Sequence, residues 1–157
     1  MTRAHIVSLI LFVAAVPAAT ASSLLASNAK PCLITGSVGY EISGSATAAH
    51  TVRIDNTVPH PSLRIQVVDD PAMAVFVLVD DGAAGKACPS AASVERIRID
   101  PAAAKPELIV SVSRAPADYK IFVRSANYSV QDAAALFAVI WRNAGKAGSL
   151  RTFAKHD

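Results

Sequence analysis

The chain uses cysteine only twice in 157 residues, at Cys32 and Cys88. It has no C-x-x-C pair, which excludes a thioredoxin-like redox site. The histidines beyond the N-terminal segment are His50, His60 and His156, and none stands in an H-x-H, H-x-x-x-H or H-E-x-x-H frame. A clustered zinc site is therefore not expected. There is no G-x-S-x-G elbow and no phosphate-loop spacing of glycines, so no hydrolase nucleophile or nucleotide cradle is legible. Charged residues make up 17% of the chain. That is far from the dense Lys/Arg face that nucleic-acid binding needs. No catalytic residue and no cofactor can be named from these patterns.

Long apolar runs are also scarce. The run Ile6–Val16 spans about 11 residues, too short for a permanent transmembrane helix. It follows Arg3 and precedes Pro17 and Ala19-Thr20-Ala21. These are the parts of a secretory signal peptide with an A-x-A cleavage site. Residues 1–21 are expected to be removed. Residues 22–157 then form one globular domain, periplasmic or secreted, without a transmembrane anchor. In an oxidising compartment two lone cysteines usually pair, so Cys32 and Cys88 are expected to form a disulfide. A closed loop of about 57 residues contributes roughly 4 kcal/mol. Without Arg3 the chain holds 14 basic and 12 acidic residues, and from Pro101 onward eight basic to four acidic. This mild imbalance reads as a solubility feature.

What the sequence does contain is a repeat. Residues 51–80 and 96–125 align without gaps at an offset of 45, with eight identities. Chance would give about two at ordinary composition. Arg53-Ile54-Asp55 matches Arg98-Ile99-Asp100, Pro61 and Leu63 match Pro106 and Leu108, Val67 matches Val112, and Pro71-Ala72 matches Pro116-Ala117. Each copy reads as a short strand ending in Arg-Ile-Asp, a Pro-containing loop, an alternating strand, a Pro turn and a third strand. Leu63, Ile65 and Val67, and likewise Leu108, Val110 and Val112, show the period of two of a half-buried strand. The third strand of the first copy, Ala74–Val79, is apolar on both faces and is expected to be central and covered. Its counterpart, Tyr119–Arg124, alternates Lys120 and Arg124 with Ile121 and Val123 and is expected to have one wet face.

Outside the repeat, Leu33–Ile42 reads as one strand bent or bulged at Gly36 and Gly39. Ser129 and Asp132 form a capping box that opens an Ala-rich helix of about 13 residues, ending near Arg142 with Gly145 at C′. Leu136, Phe137, Ile140 and Trp141 share a side, which is expected to pack on the sheet. Ser149–Phe153 is a further candidate edge strand. The fold class that follows is mainly β. It is an antiparallel β-sandwich-like domain of two duplicated three-strand units with one C-terminal helix. The alternative is α+β, with the helix on one sheet face.

Few polar residues suggest chemistry. Asp69-Asp70 and Asp80-Asp81 are paired carboxylates, of the kind that can hold a cation. If Leu63–Val68 and Ala74–Val79 form a hairpin, Asp80 and Asp81 come near His60, which makes His60, Asp80 and Asp81 weak metal candidates. His50 reads as a strand-start residue near the surface. Arg53 with Asp55 and Arg98 with Asp100 sit two apart on strands and share a face, so they read as a repeated scaffold device. Tyr119, Lys120 and Arg124 of the diverged second copy are the expected interaction surface.

The run ADYKIFVRSANYSVQDAAALFAVIW resembles the C-terminal segment of small exported proteins of Gram-negative bacteria. The residues that carry the resemblance are Ala117-Asp118-Tyr119 and Ala133–Trp141. It extends back to HPSLRIQVVDDPA, although the first copy has Ala72-Met73-Ala74 where the second has Ala-Asp-Tyr. The resemblance implies location and fold family only. The expected function is a non-catalytic periplasmic or secreted binding module whose partner is another envelope protein or a small ligand. An enzyme with a non-obvious active site, or a metal-binding envelope protein, is the alternative.

Overall fold

The computed structural model describes residues 32–80, 88 and 91–146. The expected signal peptide, the candidate strand at 149–153 and Asp81 lie outside them. Within the described residues the chain forms β1 (Leu33–Thr35), β2 (Val38–Ile42), β3 (His50–Ile54), β4 (Leu63–Val67), β5 (Phe76–Asp80), β6 (Ser93–Ile99), β7 (Leu108–Ser113), β8 (Tyr119–Ser125) and α1 (Val130–Lys146). The protein is mainly β, as its alternation implies. The expected single strand over Leu33–Ile42 is instead a tight hairpin. It turns at Gly36, whose φ of 62° suits glycine.

The expected antiparallel sandwich is corrected to one mixed sheet, in the order β1-β2-β6-β3-β7-β4-β8-β5. Only β1 and β2 pair antiparallel, and the other six ladders are parallel. β4 and β5 are thus not a hairpin, because β8 runs between them. The offset of 45 relates β3 to β6, β4 to β7 and β5 to β8, and strands so related are neighbours in the sheet. Matching positions meet directly: His50 contacts Glu95, Asp69 contacts Arg114, and Asp80 contacts Ser125. The two segments therefore interleave. β3, β4 and β5 pair with strands of the second segment and never with one another.

The register explains how short loops can join parallel strands. Ile54 at the end of β3 and Leu63 at the start of β4 both align with Val110 of β7. Ile99 and Leu108 likewise align with Val52, and Val67 and Phe76 with Ile121. In these steps each strand starts level with the end of its predecessor, two places along the sheet. The chain does not run back along a strand, so the usual crossover of a dozen or more residues is unnecessary. It steps sideways by about 10 Å, over one intervening strand.

The steps share one bonding plan. Asp55 N and Ser62 N donate to the carbonyls of Val110 and Ile109, Val68 N and Val75 N to those of Ile121 and Lys120, and Asp100 N and Glu107 N to those of Val52 and Thr51. In each case the two donors are seven residues apart and their acceptors adjacent. The repeated Arg-Ile-Asp now has a physical account. Asp55 Oδ1 accepts from Thr57 N at 2.9 Å, and Asp100 Oδ1 from Ala102 N at 2.9 Å. Each aspartate turns the chain out of the sheet and into the step. Arg53 and Arg98 pair with these aspartates at 3.6 and 3.2 Å, and Arg53 Nη1 also donates to Ala103 O at 3.1 Å. The pairs are scaffold devices, each within its own segment.

The helix is longer than expected and runs through Gly145. Its start is the capping box: Asp132 N donates to Ser129 Oγ at 3.1 Å, and Ser129 N to Asp132 Oδ2 at 2.7 Å. It does not bury one side alone. Every residue from Asp132 to Ile140 is buried, as in a helix enclosed around its circumference. α1 touches β2, β3, β4, β6, β7 and β8, and Phe137 meets Phe76 of β5 at 5.6 Å. Those seven strands would span roughly 29 Å if flat, against a helix about 10–12 Å across. The sheet must curl around the helix. Ala133, Ala134, Ala135 and Ala138, all fully buried, are small enough to let the strands close in. The strands supply Val52, Ile65, Ile97, Val110 and Ile121 to the same core.

Candidate functional site

The expectation for Ala74–Val79 fails most clearly. Among the described residues β5 is the last strand of the sheet and pairs only with β8. Phe76 and Leu78 point into the core, while Val75, Val77 and Val79 are 56%, 47% and 45% exposed. Beside them on the outer face lie the half-buried Phe122, in register with Val77, and the exposed Arg124, in register with Val79. Val75 N donates to Lys120 O, which sets Lys120 at the other end of this stripe. Met73, in the 3-10 turn before β5, is exposed as well. The result is an apolar stripe with a cation at each end.

Of the expected interaction residues, Lys120 and Arg124 face outward here. Tyr119 does not, because its ring lies 5.5 Å from Phe137 and 5.5 Å from Trp141 and belongs to the aromatic core. The alternation of β8 dictates this, since Tyr119 shares its face with Ile121 and Val123.

The weak metal candidates are not brought together as a described site. His60 is exposed in the step over β7, and Asp81 lies outside the described residues. Asp80 Oδ2 accepts from Asn127 Nδ2 at 2.6 Å and from Ser125 Oγ at 3.1 Å. Among the described residues no three His, Cys, Asp or Glu side chains are grouped to hold a metal. Next to Asp80, Tyr128 is buried. Its phenol is held well above the ordinary tyrosine value by burial first, then by the charges of Asp80, Asp132 and Glu41.

His50 was expected near the surface but is buried, 8% exposed. Its Nδ1 lies 2.7 Å from Glu107 Oε2 and its Nε2 3.2 Å from Glu95 Oε2. Arg142 of α1 completes the cluster through Glu107. β3, β6, α1 and the segment just before β7 meet here at one end of the core. The signal was present in the alternation, because His50 shares a face with Val52, and Glu95 with Ile97. All the polar atoms named are engaged with one another, which makes this a structural clasp.

An open groove of about 260 Å³ lies at the N-terminal end of α1, with Ile54, Val67, Val112 and Val130 among its walls. Two of its polar residues are engaged in hydrogen bonds. Asn56 Oδ1 accepts from Val112 N at 2.7 Å, and Arg114 Nη1 donates to Asp69 at 2.8 Å.

At the other end of the sheet, Cys32 and Cys88 are joined, with Cα atoms 5.2 Å apart. The bridge lies over Gly39 of β2. A Cβ at Gly39 would meet Cys88 Sγ, with Ala91 Cβ and Cys32 Sγ each at 3.0 Å. Glycine is needed at this position for the disulfide to pass.

No protein-family model and no curated protein matches this chain. The arrangement of its own side chains is therefore what bears on function. Within the described residues no helix is long and apolar enough to cross a membrane.

Proposed function

We propose that this chain is an exported, non-catalytic binding module whose partner docks on the outer face of β5 and β8. The observation that supports this is the stripe of Val75, Val77 and Val79, about half exposed, beside Phe122 and between Lys120 and Arg124. Single exposed apolar residues need no explanation, but contiguous ones mark interaction surfaces. The surface is an open sheet face. Small ligands prefer a concave site, so a protein partner fits better. Export is supported by the Cys32–Cys88 bridge, a feature of oxidising compartments, together with the leader-like residues 1–21. The 45-residue repeat is read as a duplication, supported by the adjacency of matching strands. The likeness to small exported proteins of Gram-negative bacteria agrees with that location.

The test is a photo-crosslinking residue placed at Val77 in the cell of origin, with a second at His60 as control. A discrete adduct from Val77 and none from His60 is expected, in a fraction whose N-terminus is Ser22. Absence of any adduct at Val77 removes the reading.

A further inference from the structure

We propose that the His50 clasp is a proton switch. An imidazolium held between Glu95 and Glu107 closes it, and loss of that proton as pH rises frees Glu95 of β6. The cluster lies on the core side of the sheet and is independent of the outer face of β5 and β8.

The first support is a count of hydrogen-bond donors. A neutral imidazole has one N–H and one bare nitrogen, and an ionised carboxylate only accepts. His50 sets both ring nitrogens against carboxylate oxygens, Nδ1 at 2.7 Å from Glu107 Oε2 and Nε2 at 3.2 Å from Glu95 Oε2. With a neutral ring, one of these contacts would press two lone pairs together at a buried residue. An imidazolium donates to both, and such charge-assisted bonds are the strong kind. The proton belongs on the ring. Glu107 must be ionised to hold the Arg142 guanidinium through Oε1, and Glu95 keeps 34% of its side chain exposed to water.

The second support is charge balance. Around His50, β6 supplies Glu95, the segment before β7 supplies Glu107, and α1 supplies Arg142. β2 adds the phenol of Tyr40, in register with Glu95. Arg96 of β6 lies on the outer face with Glu41, and Lys105, two residues before Glu107, is exposed. Two carboxylates therefore face one guanidinium and one imidazole ring, and the cluster is neutral only when the ring carries its proton. Without it, the neutral ring can still donate to Glu107 through Nδ1, while Nε2 turns a lone pair toward Glu95. A carboxylate that already reaches water is the one that lets go.

The direction of the pH effect follows from the proton count. A histidine in the unfolded chain gives up its proton above about pH 6.5. The folded chain then binds one proton more than the unfolded chain. The contribution to stability is complete below that pH and is lost as pH rises to the point where the clasp releases its proton.

The experiment is nitrogen NMR of the histidine rings in the oxidised protein at about pH 7.5, where a free histidine is about one-tenth protonated. His50 is expected with both ring nitrogens protonated, and the exposed His60 in its neutral form. In Glu95→Gln the amide can donate to the bare nitrogen, so His50 is expected with a single ring proton at the same pH. Urea unfolding is followed beside it from about pH 6.5 to about pH 8.5, for the parent, Glu95→Gln and His50→Gln. A proton held only by the folded chain raises the unfolding constant by up to about tenfold for each step of one in pH. The parent is expected to show that rise and the two variants to lose it. A singly protonated His50 in the parent, a doubly protonated His50 in Glu95→Gln, or a parent whose unfolding constant varies with pH as the variants do, overturns the proposal.

Discussion

The two edges of the sheet face the same hazard and meet it differently. β1 is short, turns straight into β2 through Gly36, and lies by the Cys32–Cys88 bridge. β5 is five residues long, apolar in four of them, and among the described residues its ladder is to β8. The bridged edge is held by covalent chemistry and close packing at Gly39. The β5 edge is held from the core side, by Phe76 on Phe137 and by Asp80 on Asn127 and Ser125. Stability is thus invested at one edge, and accessible apolar surface is left at the other.

Breaking the bridge should have the largest effect. Cys32→Ala with Cys88→Ala, or reduction of the parent, should lower the unfolding free energy by roughly 4 kcal/mol on the chain-entropy estimate. Urea unfolding with and without reductant measures this, and equal curves for the two proteins under reducing conditions are expected. Gly39→Val comes next. Its side chain must displace both sulfurs, at a cost of about 1–3 kcal/mol. Most of that cost should vanish in the background lacking both cysteines, which a double-mutant cycle detects. A cost that persists in full would place the obstruction at Ala91 instead.

The end of β5 gives a smaller, pH-dependent effect. Tyr128 beside Asp80 keeps its proton above the ordinary phenol value. The unfolded chain releases that proton near pH 10. The contribution to stability is therefore complete below about pH 10 and is lost as pH rises beyond it. Tyr128→Phe should flatten the alkaline limb of the stability profile relative to the parent. The smallest effect belongs to the outer face of β5 itself. Val79→Thr changes an exposed side chain on an already solvated face and should move the thermal midpoint by no more than about 0.5 kcal/mol equivalent. A large loss there would mean that the β5 face is covered in the folded monomer.

Much of the local structure was legible. The alternation at Leu63, Ile65 and Val67 and at Leu108, Val110 and Val112 placed two strands and their inward faces. Ser129 and Asp132 placed the start of the helix. The aspartates of Arg-Ile-Asp read as scaffold, and they are. The outer face of β5 and β8 was legible only in part. Lys120 and Arg124 were singled out, but Val75, Val77 and Val79 were assigned to the interior. Apolarity on both faces is the same whether a strand is covered by its own fold or left open at an edge. Tyr119 was misread because its neighbours Phe137 and Trp141 come from the helix. His50 was misplaced because Glu95, Glu107 and Arg142, which allow its burial, are distant in sequence.

By itself the sequence determined the alternating strands around Leu63–Val67 and Leu108–Val112, their inward residues and the cap of the helix, because each depends on contacts within a few residues. Only the tertiary structure decided that the two similar segments interleave in parallel, that the sheet curls around an Ala-rich helix, and that β5 lies beside β8 with Val75, Val77 and Val79 outward. Those features depend on which strand lies beside which, and backbone hydrogen bonds between strands are indifferent to side-chain identity. Register and order were settled by the short sideways steps and by the space around the helix, quantities that exist only once the whole chain has closed.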